Sequence, residues 1–242
     1  MPQPFLLDHL SAKQLGELAM PDFCPRCFWM KARMGFKAPW SSFPSIFSHI
    51  DSYSKGMTIA HATACGTPPS WLMKFGKLTQ QIPCPHWSKF SFADPATGVV
   101  LRGAPDEMYR LEDRTIAILD YKTARYTEHQ DELLPIYKVQ LSVYRWLALK
   151  NTRAFPGGLG ETSVSGLVYY EPATHEATAD MLRVNGFVMP FTAHILPIQT
   201  DLSMVESLLA EAQRIVQLPD QPTGKVDCKD CQIIDHIKQM TA

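Results

Sequence analysis

A chain of 242 residues, 45% hydrophobic and 19% charged, can bury a proper core, which excludes intrinsic disorder and suits one domain over residues 1–242. A formal net charge of −1 excludes a polycation that coats nucleic acid, while leaving room for a local basic groove among the basic residues from Arg102 to Arg153. The chain has no apolar run of about eighteen residues and no basic region followed by a long apolar one, so the expectation is a cytoplasmic protein with no membrane partner.

Ser11 to Met20 is predicted as a short helix, with Ser11 as N-cap, Gln14 completing a capping box and Pro21 stopping it. Asp22-Phe-Cys-Pro-Arg-Cys-Phe-Trp-Met30 reads as a cysteine knuckle running into aromatics, and Lys37 to Pro44 as a Pro/Ser connector. Ile46, Ile50, Tyr53 and Met57 recur at helical spacing, which predicts a helix from Pro44 to Ala64, ended by Gly66-Thr-Pro-Pro69. From about Phe90 the chain turns β-rich. Val99 to Tyr109 and Thr115 to Lys122 are apolar, β-branched runs around the polar segment Arg110 to Arg114, the pattern of a hairpin. Leu133 to Lys150 is predicted as a helix with Val139, Val143, Trp146 and Leu147 as its apolar stripe. A loop from Phe155 to Gly160, strands at Gly166 to Tyr170 and Phe191 to Ile198, and a helix from Leu202 to Leu218 complete the reading. There is no internal repeat. This order predicts an α/β arrangement on a mixed sheet.

The chemistry concentrates in Gly103-Ala-Pro-Asp106 and Leu119-Asp120-Tyr121-Lys122-Thr123. Asp120 and Lys122 are two apart on a strand, so both project to one face. A three-residue turn in the hairpin sets Asp106 across from Asp120. Two carboxylates placed side by side repel, and a divalent cation such as Mg²⁺ or Mn²⁺ resolves that repulsion with oxygen ligands. Such an ion acidifies a bound water and neutralises charge developing on a phosphate, while Lys122 orients the water or stabilises that charge. The plainer alternative is an ordinary surface Asp and Lys on a hairpin.

Gln140 and Tyr144 are four apart on the following helix and so share a face. Together the series GxPD, DYKT and QxxxY resembles the RecB-like branch of the PD-(D/E)xK nucleases, over roughly Ser11 to Cys231. Cys24-Pro-Arg-Cys27 and the pair Cys228 and Cys231 are similar to the cysteine-clasped members of that branch, which include CRISPR-associated and helicase-linked nucleases. The resemblance implies a restriction-endonuclease-like core, a central mixed sheet flanked by helices. It assigns Asp106 and Asp120 to the catalytic metal, Lys122 to catalysis, and Gln140, Tyr144 and Tyr121 to support of the site. It further implies a nucleic-acid substrate, DNA first, and a helicase or other DNA-processing partner. The family often adds a metal ligand from the preceding helix, where Asp51, His61 and His49 are the candidates. A non-catalytic nucleic-acid-binding or scaffold module of the same fold is the alternative.

Paired cysteines in a reducing compartment suggest metal before disulfides. Cys24, Cys27, Cys228 and Cys231 make a four-thiolate site if the chain ends meet, suited to Zn²⁺ or to an iron–sulfur cluster. Related clasped nucleases often hold a [4Fe–4S] cluster through one early and three late cysteines. Here the split is two and two, and Ile237 stands where a later cysteine is expected, which favours zinc. Cys65 and Cys84 read as ordinary thiols, with Cys84 in Pro83-Cys-Pro85 as a spare ligand.

Overall fold

The uninterrupted apolar run Ile116-Ala-Ile-Leu119 has the composition of a strand buried on both faces, and it forms the middle of the principal sheet. The structure, a computed structural model, describes residues 5–36, 44–126, 132–151, 155, 159–176 and 178–241. Most of the expected connector (37–43), Arg153, and residues 156–158 of the expected loop lie outside the described residues.

The N-terminal half runs β1 (His9–Ser11), α1 (Ala12–Gly16), α2 (Pro25–Arg33), α3 (Ser45–Cys65), β2 (Leu78–Ile82), β3 (Ser91–Ala93), β4 (Val100–Arg102) and β5 (Glu107–Leu111). Then come β6 (Ile116–Lys122), α4 (Leu134–Lys150), β7 (Thr162–Pro172), β8 (Leu182–Arg183), β9 (Gly186–Phe187), β10 (Phe191–Pro197), α5 (Ser203–Val216) and α6 (Lys229–Thr241). The capping box at Ser11 is formed. Its hydroxyl accepts from the Gln14 amide at 3.2 Å, and its own amide donates to Gln14 Oε1 at 2.7 Å. α3 ends at Gly66, whose φ of 69° is the left-handed cap that glycine adopts without cost.

The five-stranded sheet has the order β10-β7-β6-β5-β2. β6 and β7 are parallel, with α4 as their crossover, and the other pairs are antiparallel. One face, with Met108, Ile116, Ile118, Leu167 and Tyr169, packs under Val139 and Val143 of α4 and shares a core with Leu209 of α5. The other, with Tyr109, Leu119, Tyr121, Val168 and Tyr170, packs against Leu72 and Phe75 of a 3-10 helix, Ser70–Phe75. α4 is buried nearly all round, because α1 and α5 cover the side that the sheet does not. Leu141 and Ala148 therefore join the expected stripe. Among the described residues no helix is long and apolar enough to cross a membrane.

The expected strand from Val99 to Tyr109 is instead two strands in two sheets. β4 pairs with β1 and β3, and β5 joins the principal sheet. The break falls at Gly103-Ala-Pro105, where Pro105 has no amide to donate to a ladder. The expected cysteine knuckle is the start of a full helix, α2, with Pro25 in its first turn.

Candidate active site

The hairpin sets the register. Glu107 pairs with Leu119 and Met108 with Ile118, and the Asp106 amide donates to Leu119 O at 3.1 Å. Carried one step further, this register places Asp106 opposite Asp120. The turn is Glu112-Asp113-Arg114, closed by the Leu111 amide on Thr115 O at 2.9 Å, with Arg114 in the left-handed region. Asp120, Lys122 and Asp106 thus meet at the carboxyl end of β6. The Tyr121 amide donates to Asp106 Oδ2 at 2.5 Å. The Tyr121 ring, by strand alternation, faces the other side of the sheet, where its hydroxyl donates to Thr58 Oγ1 at 3.3 Å. It is the Tyr121 backbone, not its ring, that meets Asp106.

α4 supplies the next layer. Gln140 Nε2 donates to Asp120 Oδ1 at 3.1 Å and to the Tyr144 hydroxyl at 2.6 Å. The Tyr144 hydroxyl itself donates to Asp120 Oδ1 at 3.3 Å. Gln140 Oε1 accepts from Lys122 Nζ at 3.2 Å, and Lys122 forms an ion pair with Asp120 Oδ2. The Lys122 ammonium also lies 4.4 Å from the centre of the Tyr137 ring. One glutamine therefore orients both the acid and the base of the Asp-x-Lys pair. Asp120 is only 3% exposed, so these bonds act in a medium where they are strong and where losing one is costly.

α3 adds a residue that the sequence reading missed. Lys55 Nζ lies 2.7 Å from Asp106 Oδ1 and 2.7 Å from Asp51 Oδ2. The signal was the Asp51–Lys55 spacing of four on one helix face. Of the three helix candidates, Asp51 reaches the carboxylates, through Lys55. His61 instead packs edge-on against Trp71, with Nδ1 3.3 Å from Thr67 O. His49 is exposed near the start of α3.

Burial pushes the Asp106 carboxyl up to about 6, helped by the charge of Asp120 and opposed by Lys55 and the Tyr121 amide. For Lys55, burial works against the charge, but Asp106 and Asp51 outweigh it and hold the ammonium above its ordinary value. Burial and then Asp120 hold the Tyr144 hydroxyl far above the ordinary phenol range, so it stays a donor. The buried Asp120 and half-buried Asp106 carboxylates, which repel each other across a hairpin, with Asp51 nearby, fit a hard divalent cation. Two lysine ammoniums balance them here.

Gly103 explains why the motif needs a glycine. A Cβ there would stand 2.7 Å from Tyr144 Cε1 and 3.3 Å from Ala12 Cβ. The Tyr144 ring is buried between this backbone and Gln140 and has nowhere to retreat. Gly103→Ala is expected to cost ~1–3 kcal/mol, the scale of overpacking in a tight core, and to draw the Tyr144 hydroxyl off Asp120. Thermal denaturation reads the first effect; a variant as stable as the parent would show that Tyr144 is free to move.

The four clasp cysteines come together. Sγ separations are 3.6 Å for Cys24–Cys231, 3.5 Å for Cys27–Cys228 and 3.5 Å for Cys27–Cys231, and all four lie within 4.8 Å of one another. Cys24 caps α2 and Cys27 lies in its first turn. Cys228 precedes α6 and Cys231 lies in its first turn. Both pairs thus sit at helix N-termini, whose free amides favour thiolate. The Lys225 amide points at Cys24 Sγ from 3.2 Å. Burial opposes ionisation of Cys24, but the amides of Lys225 and Cys27 outweigh it and bring the thiol down to about 7. Burial, with the neighbouring Cys24 and Cys228, pushes Cys231 up to about 11. Arg26 bridges α2 to Asp235 of α6, with Nη1 donating to Oδ2 at 2.8 Å. Cys65 and Cys84 lie outside this group; burial pushes the Cys84 thiol up to about 12.

The family model described as the PD-(D/E)XK nuclease superfamily matches residues 60–235. Among solved structures, one titled "Crystal structure of SSO0001" is similar at 13% identity, over 89% of this chain and 79% of that one, with a TM-score of 0.37. No curated protein matches the chain.

Proposed function

Because the chain belongs to the PD-(D/E)XK nuclease superfamily, we propose that it is a single-domain, divalent-metal-dependent nuclease of the RecB-like branch that hydrolyses phosphodiester bonds in DNA. What carries the reading is the register of Asp106 against Asp120, with Lys122 on the same face and Gln140 tying Lys122 to Asp120. Asp106 and Asp120 would hold Mg²⁺ or Mn²⁺, with Asp51 in reach once Lys55 turns away. A cation held there would supply Lewis acidity, lowering the pKa of a bound water and offsetting charge on the phosphate. Lys122 places an ammonium beside the phosphate and orients the attacking water. Gln140 and the protonated Tyr144 hold Asp120 in place.

Labelled single- and double-stranded DNA incubated with Mn²⁺ tests this. Metal-dependent cleavage that a chelator stops is the expected result, and intact DNA under every metal tried would overturn it. A second test uses the raised Asp106 carboxyl. Its ordinary value is 3.8 and its folded value about 6, so its contribution to stability is full below about 4 and is lost as pH rises through about 6. A cation between Asp106 and Asp120 restores that loss only where protons do not compete. The rise in melting temperature with Mn²⁺ is therefore expected to be larger near pH ~8 than near pH ~5. An equal rise at both would place the ion away from Asp106.

For the clasp, the sulfur separations favour one tetrahedral ion. Ligands at about 2.3 Å around a single Zn²⁺ stand just under ~4 Å apart, whereas the cysteines of a cluster bind different irons. Four protein ligands leave no open position, so the site is structural.

A further inference from the structure

A cavity of about 300 Å³ opens at the same end of the sheet as Asp120 and Lys122, but on the opposite face. The register shows the shared end: Lys122 pairs with Tyr169, and Tyr170, the next residue of β7, lines the cavity. α3 joins the two places. Lys55 reaches Asp106, while its neighbours Tyr53 and Ser54, and Met57 and Thr58 one turn on, line the cavity. Tyr121, between Asp120 and Lys122 in sequence, closes its floor through Thr58.

The lining is aromatic above and hydroxylic below. Tyr53 is 54% exposed, Met57 52% and Trp71 36%, although all three carry large apolar surfaces. The Tyr53 and Phe191 rings stand 6.3 Å apart, tilted at 43°. Below them the Thr58 hydroxyl lies 3.2 Å from the Tyr170 hydroxyl, which accepts from Trp71 Nε1 at 3.3 Å. Exposed ring faces over hydroxyl donors and acceptors suit a flat heterocycle with polar edges. Stacking on such rings tolerates any base, and a cavity of this size admits a single ring system.

We propose that this cavity receives one unpaired nucleobase of the DNA strand being cut. The inference rests on the nuclease reading and narrows its substrate: a base held in a duplex cannot enter without leaving its stack, so the substrate is single-stranded or frayed at the cut.

The test measures fluorescence anisotropy of a short fluorescein-labelled oligothymidylate, with Ca²⁺ in place of Mn²⁺ to suppress cutting. With wild-type protein, an abasic residue is moved along the oligonucleotide. Loss of the base at one position is expected to weaken binding ~10-fold, the scale of one base stacked on an aromatic ring. Tyr53→Ala and Trp71→Leu are expected to weaken the intact oligonucleotide by a similar factor and to abolish the abasic effect, while leaving duplex binding unchanged. A flat abasic scan would overturn the proposal without any variant. If Mn²⁺-dependent cutting occurs beside a flat scan, the cavity reading fails and the nuclease reading stands. If base-dependent binding occurs without cutting, the cavity stands and the nuclease reading fails.

Discussion

Asp120→Asn and Lys122→Ala are each expected to lower DNA cleavage by at least ~10²-fold, the scale on which losing one fixed charge stabiliser is felt, with the fold retained. Asp120 accepts from Gln140 Nε2 and the Tyr144 hydroxyl on Oδ1 and pairs with Lys122 on Oδ2. An asparagine keeps the shape and an acceptor, but it removes the negative charge that pairs with Lys122 and that the proposed metal would need. It also leaves a half-buried ammonium facing an amide, which accounts for a stability loss but not for lost catalysis. Circular dichroism and melting curves separate the two effects. Tyr144→Phe is expected to cost less, because Gln140 still holds Asp120 and the ring stays packed. Mn²⁺-dependent cleavage at the parental rate by either Asp120→Asn or Lys122→Ala would remove them from the chemistry.

Loss of the clasp metal is expected to release α6 and lower the melting temperature by roughly 10 °C or more. Cys27 and Cys228 are 201 residues apart, so a metal between them closes nearly the whole chain into a loop. The loop-closure relation puts such a cross-link at roughly 5 kcal/mol. Among the described residues α2 and α6 are also tied by the Arg26–Asp235 pair, with Asp235 half exposed, where water screens the attraction. Thiolates this close are also unstable without a cation, since their repulsion keeps them protonated or drives them apart. Cys231→Ser, or prolonged chelation, should therefore expose the chain around α6 to protease before Asp106 and Asp120 are disturbed. Metal analysis and absorbance of protein purified without air should show one zinc per chain. Iron and sulfide in that sample would replace the single ion with a cluster, and an unchanged melting curve in Cys231→Ser would remove the structural role altogether.

The carboxylate centre was legible from sequence because its geometry is local. Strand alternation puts Asp120 and Lys122 on one face, a three-residue turn brings Asp106 opposite Asp120, and a spacing of four aligns Gln140 with Tyr144. Each rule spans a few residues and needs no knowledge of the rest of the chain. The break between β4 and β5 was hidden, since a run of apolar residues looks the same whether it feeds one sheet or two. Lys55 was hidden as well: the spacing to Asp51 was visible, but its reach to Asp106 depends on how α3 lies across the sheet edge. Packing of helix on sheet decides that, through side chains far apart in sequence. The same holds for the clasp. The two CxxC pairs announced themselves as residues, but only the folded chain sets their sulfurs within 4.8 Å of one another.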